Sequence, residues 1–230
     1  MLDPLYFAML APAMLLSLWA TFATKRRFAQ FAEVPNARGM TGADAARAIL
    51  DRAGLHHVRV EPHDGWLTDH YDPRDRTVRL SPDVYHGRSI SALAVAAHET
   101  GHALQHAKRY WPLEVRTLAV PVASLGSNLG FILIAVGMLL SMAGLSLLGV
   151  ILFSATVLFQ LITLPVEFDA SERAKKLLFD HGIIVPSEQA GVAKVLSAAA
   201  MTYVAAAITS VLTLLYFLIR LGVLGGRREE

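Results

Sequence analysis

The sequence predicts a mostly α-helical membrane protein, with about four transmembrane helices and a small α+β unit. Three observations carry that expectation. Hydrophobic residues make up 54% of the 230 and charged residues only 17%, where a soluble domain carries about 25% charged. Mean hydropathy is positive, at +0.44. Four apolar stretches are also long enough to cross a hydrocarbon core, which takes about 20 residues.

The first stretch, Leu5 to Thr24, is followed by Lys25, Arg26 and Arg27. A cleaved signal peptide would have a basic n-region and a short apolar region. Here only Asp3 is charged before a long apolar run, so residues 1–24 read as an uncleaved anchor. Residues 117–166 form one uncharged run. At about 1.5 Å per residue it is too long for one crossing and suits two, with the turn expected near Ser141, Gly144 and Ser146. The fourth span lies in residues 198–220, closed by Arg220, and a polar tail follows over 221–230. A buried soluble helix explains any one of these stretches, but not four in so short a chain.

Two polar segments remain, residues 25–116 and 167–197. Two crossings separate them, so they lie on one side of the bilayer whatever the orientation. In the first, residues 42–53 have helical spacing and stop at Gly54. His57 to Glu61 and Arg76 to Leu80 alternate like strands, with Asp64-Gly65 and Asp72-Pro73 as turns between them. Arg76 to Leu80 is expected at an edge where an extended peptide could pair. Residues 89–109 then form a helix capped by Ser89 or Ser91. Trp66, Tyr110 and Trp111 are candidates for interfacial anchors, although core packing explains Trp66 equally well.

Composition excludes several chemistries. Net charge is only +2 and no basic run suits a polyanion, so nucleic acid is not an expected partner. The chain has no cysteine, which removes disulfides, thiolate metal sites and a cysteine nucleophile. A transition metal must therefore be held by histidine and carboxylate.

His98-Glu99-Thr100-Gly101-His102 fits the pattern H-E-x-x-H. On a helix, residues i and i+4 lie one above the other, so both imidazoles can reach one tetrahedral Zn2+. Glu99 stands on the neighbouring flank and can act as general base on a water without being a ligand. The apolar approach Ala94 to Ala97 favours a buried helix over an amphipathic one with solvated histidines. His106 extends the ladder, but lies about 12 Å from His98 along a continuous helix, too far for a metal with bonds near 2 Å. The third ligand must come from elsewhere. Glu167, Asp169 and Glu172, all just after the third span, are the candidates. Interfacial charge is the plainer reading of Glu167. Asp169 could instead orient a zinc-bound histidine through its other ring nitrogen, and salt bridges to Arg173 or Lys176 would explain Asp169 and Glu172 without a metal. His70 or Tyr71 could donate to the oxyanion of a tetrahedral intermediate, though a histidine in a turn is commonly just solvated.

The N-terminal anchor, Leu67-Thr68-Asp69-His70-Tyr71-Asp72-Pro73, Val78-Arg79-Leu80-Ser81, the Ala97-to-Gln105 helix and Pro165-Val166-Glu167-Phe168-Asp169-Ala170 together resemble the bacterial YugP-like family of neutral zinc metallopeptidases of the membrane. The likeness covers nearly the whole chain. More loosely, the chain resembles integral-membrane zinc peptidases of the CAAX-protease and heat-shock-protease type. The resemblance implies a zincin-like catalytic unit in residues 25–116, a transmembrane hairpin in 117–166 and a third-ligand segment in 167–197. By the looser similarity, Glu167 is the third ligand with His98 and His102. One departure stands out: the looser group has an Asp four residues after its Glu ligand, and here that position is Ser171.

The expectation is a zinc-dependent endopeptidase in the bacterial plasma membrane, acting on membrane or membrane-proximal proteins. The alternative is a non-catalytic, zinc-stabilised membrane scaffold or adaptor, which has no use for the base Glu99. A site-2-type intramembrane protease would need a later ligand Asp within a span, and no later span contains one. Lys25, Arg26 and Arg27, with Arg173, Lys175 and Lys176, favour a cytoplasmic site, while Arg220, Arg227 and Arg228 point the other way.

Overall fold

A computed structural model of the chain describes residues 3–224. As the composition indicates, it is mostly helical with one small sheet. Among the described residues, four helices are long and apolar enough to cross a membrane. Arg227 and Arg228, which entered the orientation argument, lie outside the described residues, as does most of the 221–230 tail.

Helix α1 spans Pro4–Ala32 and α2 spans Gly42–Arg52. The start of α2 is fixed by a reciprocal cap: Thr41 Oγ accepts from the Asp44 backbone N–H, and the Asp44 carboxylate accepts from Thr41 N–H. These bonds satisfy two of the donors that a helix N-terminus leaves without partners. Strands β1 (Arg59–Pro62), β2 (His70–Asp72) and β3 (Thr77–Leu80) form one sheet of order β1-β3-β2, with β1 parallel and β2 antiparallel to β3. The expected edge strand, Arg76 to Leu80, is thus the central one. Both its edges are taken, because the short 70–72 segment, too brief to show alternation, pairs with it. The sheet's two outer edges belong to β1 and β2.

Helix α3 (Pro82–Tyr85) leads into α4 (Ile90–Ala107), which Ser89 caps by accepting from Ala92 N–H at 3.2 Å. Then come α5 (Trp111–Leu139), α6 (Ala143–Asp180), a short 3-10 turn over Pro186–Glu188, and α7 (Gln189–Arg220). The hairpin turns at Ser141, which takes φ +55°. Gly144 and Ser146, expected in the turn, lie inside α6. No break separates the third apolar run from the polar residues after it: α6 carries Glu167 on the same helix.

Chain contacts divide the molecule into two units. One consists, among the described residues, of 3–19, 114–164 and 202–224. Its core is built on Ile134, Val150, Phe153, Val157, Tyr216 and Phe217. Helices α5 and α6 approach closely through small residues, so that a Cβ on Gly149 would lie 2.6 Å from the Gly130 carbonyl oxygen. Such small-residue seams suit helices that meet in lipid, where there is no hydrophobic force between them. Its outer side chains are large and apolar, Leu118 and Leu125 among them.

The other unit, 20–113 with 165–201, unites the two polar segments. Its core includes Ile49 and Leu50 of α2, Val78 and Leu80 of β3, Leu93 of α4, Leu178 of α6 and Val192 of α7. The α4 helix is buried on nearly all sides, which is why its sequence is apolar around rather than striped. Trp66 packs edge-on against Phe28 with Lys25 over its ring, and remains about half exposed.

Candidate metal centre

The α4 helix places His98 and His102 one turn apart, with ring centroids 4.8 Å apart. The α6 helix brings Glu167 against both. Its Oε2 is 3.1 Å from His98 Nε2 and 3.6 Å from His102 Nε2. One donor atom from each of the three residues lies within 4.8 Å of the others. Two ligand atoms on a tetrahedral zinc, each bonded at about 2.0–2.1 Å, are separated by about 3.3–3.4 Å. The two His–Glu separations bracket that value, so the donor set fits the metal.

Why the helices come this close is written at position 101. A Cβ there would sit 2.8 Å from the Ala170 carbonyl oxygen and 3.3 Å from Ala170 Cα. Glycine lets α4 lie against the α6 backbone, and Glu167, nearly one turn before Ala170, then reaches the imidazoles.

Both histidines are held from behind. His102 Nδ1 donates to Gln105 Oε1 at 3.0 Å when its Nε2 faces the metal. Gln105 is fully buried, and its amide donates to the Val166 carbonyl at 2.8 Å and to Asp169 Oδ2 at 2.7 Å. Asp169 also pairs with Arg173, whose guanidinium lies over the Tyr110 ring. Asp169 therefore bonds to neither imidazole; it is linked to His102 through Gln105. His98 Nδ1 meets Ser171 Oγ at 3.2 Å. The residue that departs from the looser group's Asp thus supplies the partner for the other histidine. Glu172 ion-pairs with Lys175 at the surface, not with the expected Lys176.

Burial alone would keep the Glu167 carboxyl neutral, but hydrogen bonds and charge from His102 and His98 outweigh it and hold the group well below the usual carboxylate range. Burial likewise disfavours a charged His102, yet Glu167 raises its pKa above the ordinary imidazole value. Such a buried acid-base pair is the protonated counterpart of a metal site, because a cation replaces the imidazole proton.

Glu99 is buried beside His98 on α4. Asp69 belongs to the same neighbourhood: burial raises its pKa, and the Glu99 charge adds to that. Its carboxylate accepts from both the backbone N–H and the hydroxyl of Ser81. Tyr71 and His70 alternate on β2. The Tyr71 hydroxyl is 2.8 Å from His106 Nδ1, and burial pushes its pKa up to about 12. The His70 ring donates from Nδ1 to the Thr68 carbonyl and stacks edge-on with His63. His106 stands outside the metal group, as the helix spacing requires.

Sequence reasoning missed Gln105 and Ser171. Gln105 sits three residues after His102, on the same helix face, and an amide within a helix apolar all round was a signal that it had a buried partner. Ser171 gave no such signal, since hydroxyls are common near a membrane surface.

The profile of the family described as "Putative neutral zinc metallopeptidase" matches residues 6–222. A Bacillus subtilis (strain 168) protein described as "Putative membrane protease YugP" is 52% identical over 226 residues, which cover 98% of this chain and all of that protein. No solved structure matches the chain.

Proposed function

Because this chain belongs to the neutral zinc metallopeptidase family, we propose that it is a membrane-anchored endopeptidase whose zinc is held by His98, His102 and Glu167. The observation that carries this reading is the pair of His–Glu separations, 3.1 and 3.6 Å, beside the buried Glu99.

Bound zinc supplies an acidified water and polarises the scissile carbonyl. Glu99 takes the proton from that water and passes it to the leaving amine, the work of a general base and then a general acid. Tyr71 supports the oxyanion. With its pKa near 12 it stays protonated at neutral pH. When His106 Nδ1–H donates to the phenol oxygen, the phenol proton remains free to donate. His70 suits this role less, because its Nδ1–H is spent on Thr68. Strand β2, the free edge beside α4, is the element on which an extended substrate pairs.

The substrates are membrane or membrane-proximal proteins in the plasma membrane, and basic residues after the first and third apolar runs favour a cytoplasmic site. Glu99→Gln tests the assignment. The variant should retain stoichiometric zinc by elemental analysis and lose peptide hydrolysis by orders of magnitude. Equal turnover in the variant and wild type would overturn it.

A further inference from the structure

A cavity of about 290 Å³ lies between α6 and α7, within the same unit as the metal centre. The α6 wall is Phe168, Ser171, Glu172 and Lys175, an i, i+3, i+4, i+7 stripe on one helix face. The α7 wall is chiefly Leu196, Ala200 and Met201, with Ser197 exposed at the rim. We propose that this cavity is the specificity pocket of the peptidase, taking one large apolar side chain from a residue flanking the scissile bond. The proposal rests on the peptidase reading and gives that site a substrate preference.

Three observations support it. The first is continuity with the chemistry: Ser171 lines the cavity, and its hydroxyl is 3.2 Å from His98 Nδ1. The wall is therefore one hydrogen bond from a metal-holding imidazole. The second is charge. The two charged lining residues, Glu172 and Lys175, pair with each other. A charged side chain would have to break that pair, whereas an apolar one meets Phe168, Leu196, Ala200 and Met201. The third is size. Sites for whole small-molecule ligands run from about 300 to 1,000 Å³, so this cavity sits at the lower limit and suits a leucine, methionine or phenylalanine side chain. Its α7 wall lies where the last apolar run begins, which matches substrates drawn from membrane-proximal segments.

The full-length, zinc-loaded protein in detergent is given a proteome-derived peptide library, and cleavage sites are read by mass spectrometry. Wild type should enrich Leu, Met or Phe over Ala at one flanking position, by roughly 10- to 100-fold in kcat/KM, the ratio expected for burying a few methylene groups. Ala200→Phe and Ser197→Trp should shift that position to Gly or Ala. Ser197 is exposed, so its variant keeps the test alive if filling the buried Ala200 site harms folding. A second readout needs no turnover: Glu99→Gln protein should bind a fluorescent Leu-containing peptide more tightly than its Ala counterpart, and Ser197→Trp should erase the difference. No enrichment in wild type, or the same preference in both variants, overturns the pocket. Absence of any cleavage above the Glu99→Gln background overturns the peptidase reading and the pocket with it.

Discussion

Gly101 packs against Ala170 so closely that a Cβ at 101 would lie 2.8 Å from the Ala170 carbonyl oxygen. The contact sets the distance between α4 and α6, and so the distance from His98 and His102 to Glu167. Alanine is intrinsically the better helix former by about 1 kcal/mol. Overpacking a tight backbone contact costs about 1–3 kcal/mol and wins here, because a carbonyl on a buried helix cannot swing aside. Gly101→Ala should thus weaken zinc binding measurably while α4 itself stays helical, checked by competition with a chromophoric chelator and by circular dichroism. Unchanged affinity would show that the helices are not in this contact.

Glu167→Ala should abolish stoichiometric zinc, since it leaves two protein ligands where a catalytic zinc normally has three. Glu172→Ala should leave occupancy intact, because Glu172 is paired at the surface with Lys175. Asp169→Ala should fall between them, by about 10–100-fold in affinity, because it supports His102 only through Gln105. Full occupancy in Glu167→Ala would move the third ligand elsewhere.

Gln105→Met keeps the volume but removes three hydrogen bonds: one to His102, one to Val166 and one to Asp169. Zinc affinity should fall at least as far as in Asp169→Ala, and the double variant should add little, because both residues act along one chain of bonds. Additive losses measured in the double variant would separate them.

Zinc binding should weaken as pH falls. Glu167 raises the His102 pKa above its ordinary value of 6.5, so in the metal-free protein the proton is still held above that pH and competes with the cation. Protonated His102 also stabilises the metal-free fold below 6.5, an advantage lost as pH rises through the elevated pKa. Both effects favour metal at higher pH. Affinity independent of pH between 6 and 8 would contradict the pairing.

For orientation, single cysteines at Arg74 and Ser187 are suited to labelling in this cysteine-free chain. Both positions are exposed, while Ser81, although polar, is buried against Asp69. Neither cysteine should react with an impermeant maleimide in intact cells, and both should react after lysis. Labelling of intact cells would place the site outside.

The sequence by itself determined what depends on neighbours along the chain. The four apolar runs follow from composition, and the His98/His102 pair from the rise and turn of one helix. The common side of the two polar segments follows from counting crossings. Only the tertiary structure brought Glu167, rather than Asp169 or Glu172, against His98 and His102, although all three acids lie on one helix within six residues of each other. The choice depends on which face of α6 meets α4, and the Gly101–Ala170 approach sets that. Tertiary structure also moved the sheet edges from 76–80 to β1 and β2, because a three-residue strand such as β2 is defined by its partner rather than its own pattern. Gln105 became visible the same way: two of its three bonds reach Val166 and Asp169, more than 60 residues away, and no local spacing encodes a contact across that distance.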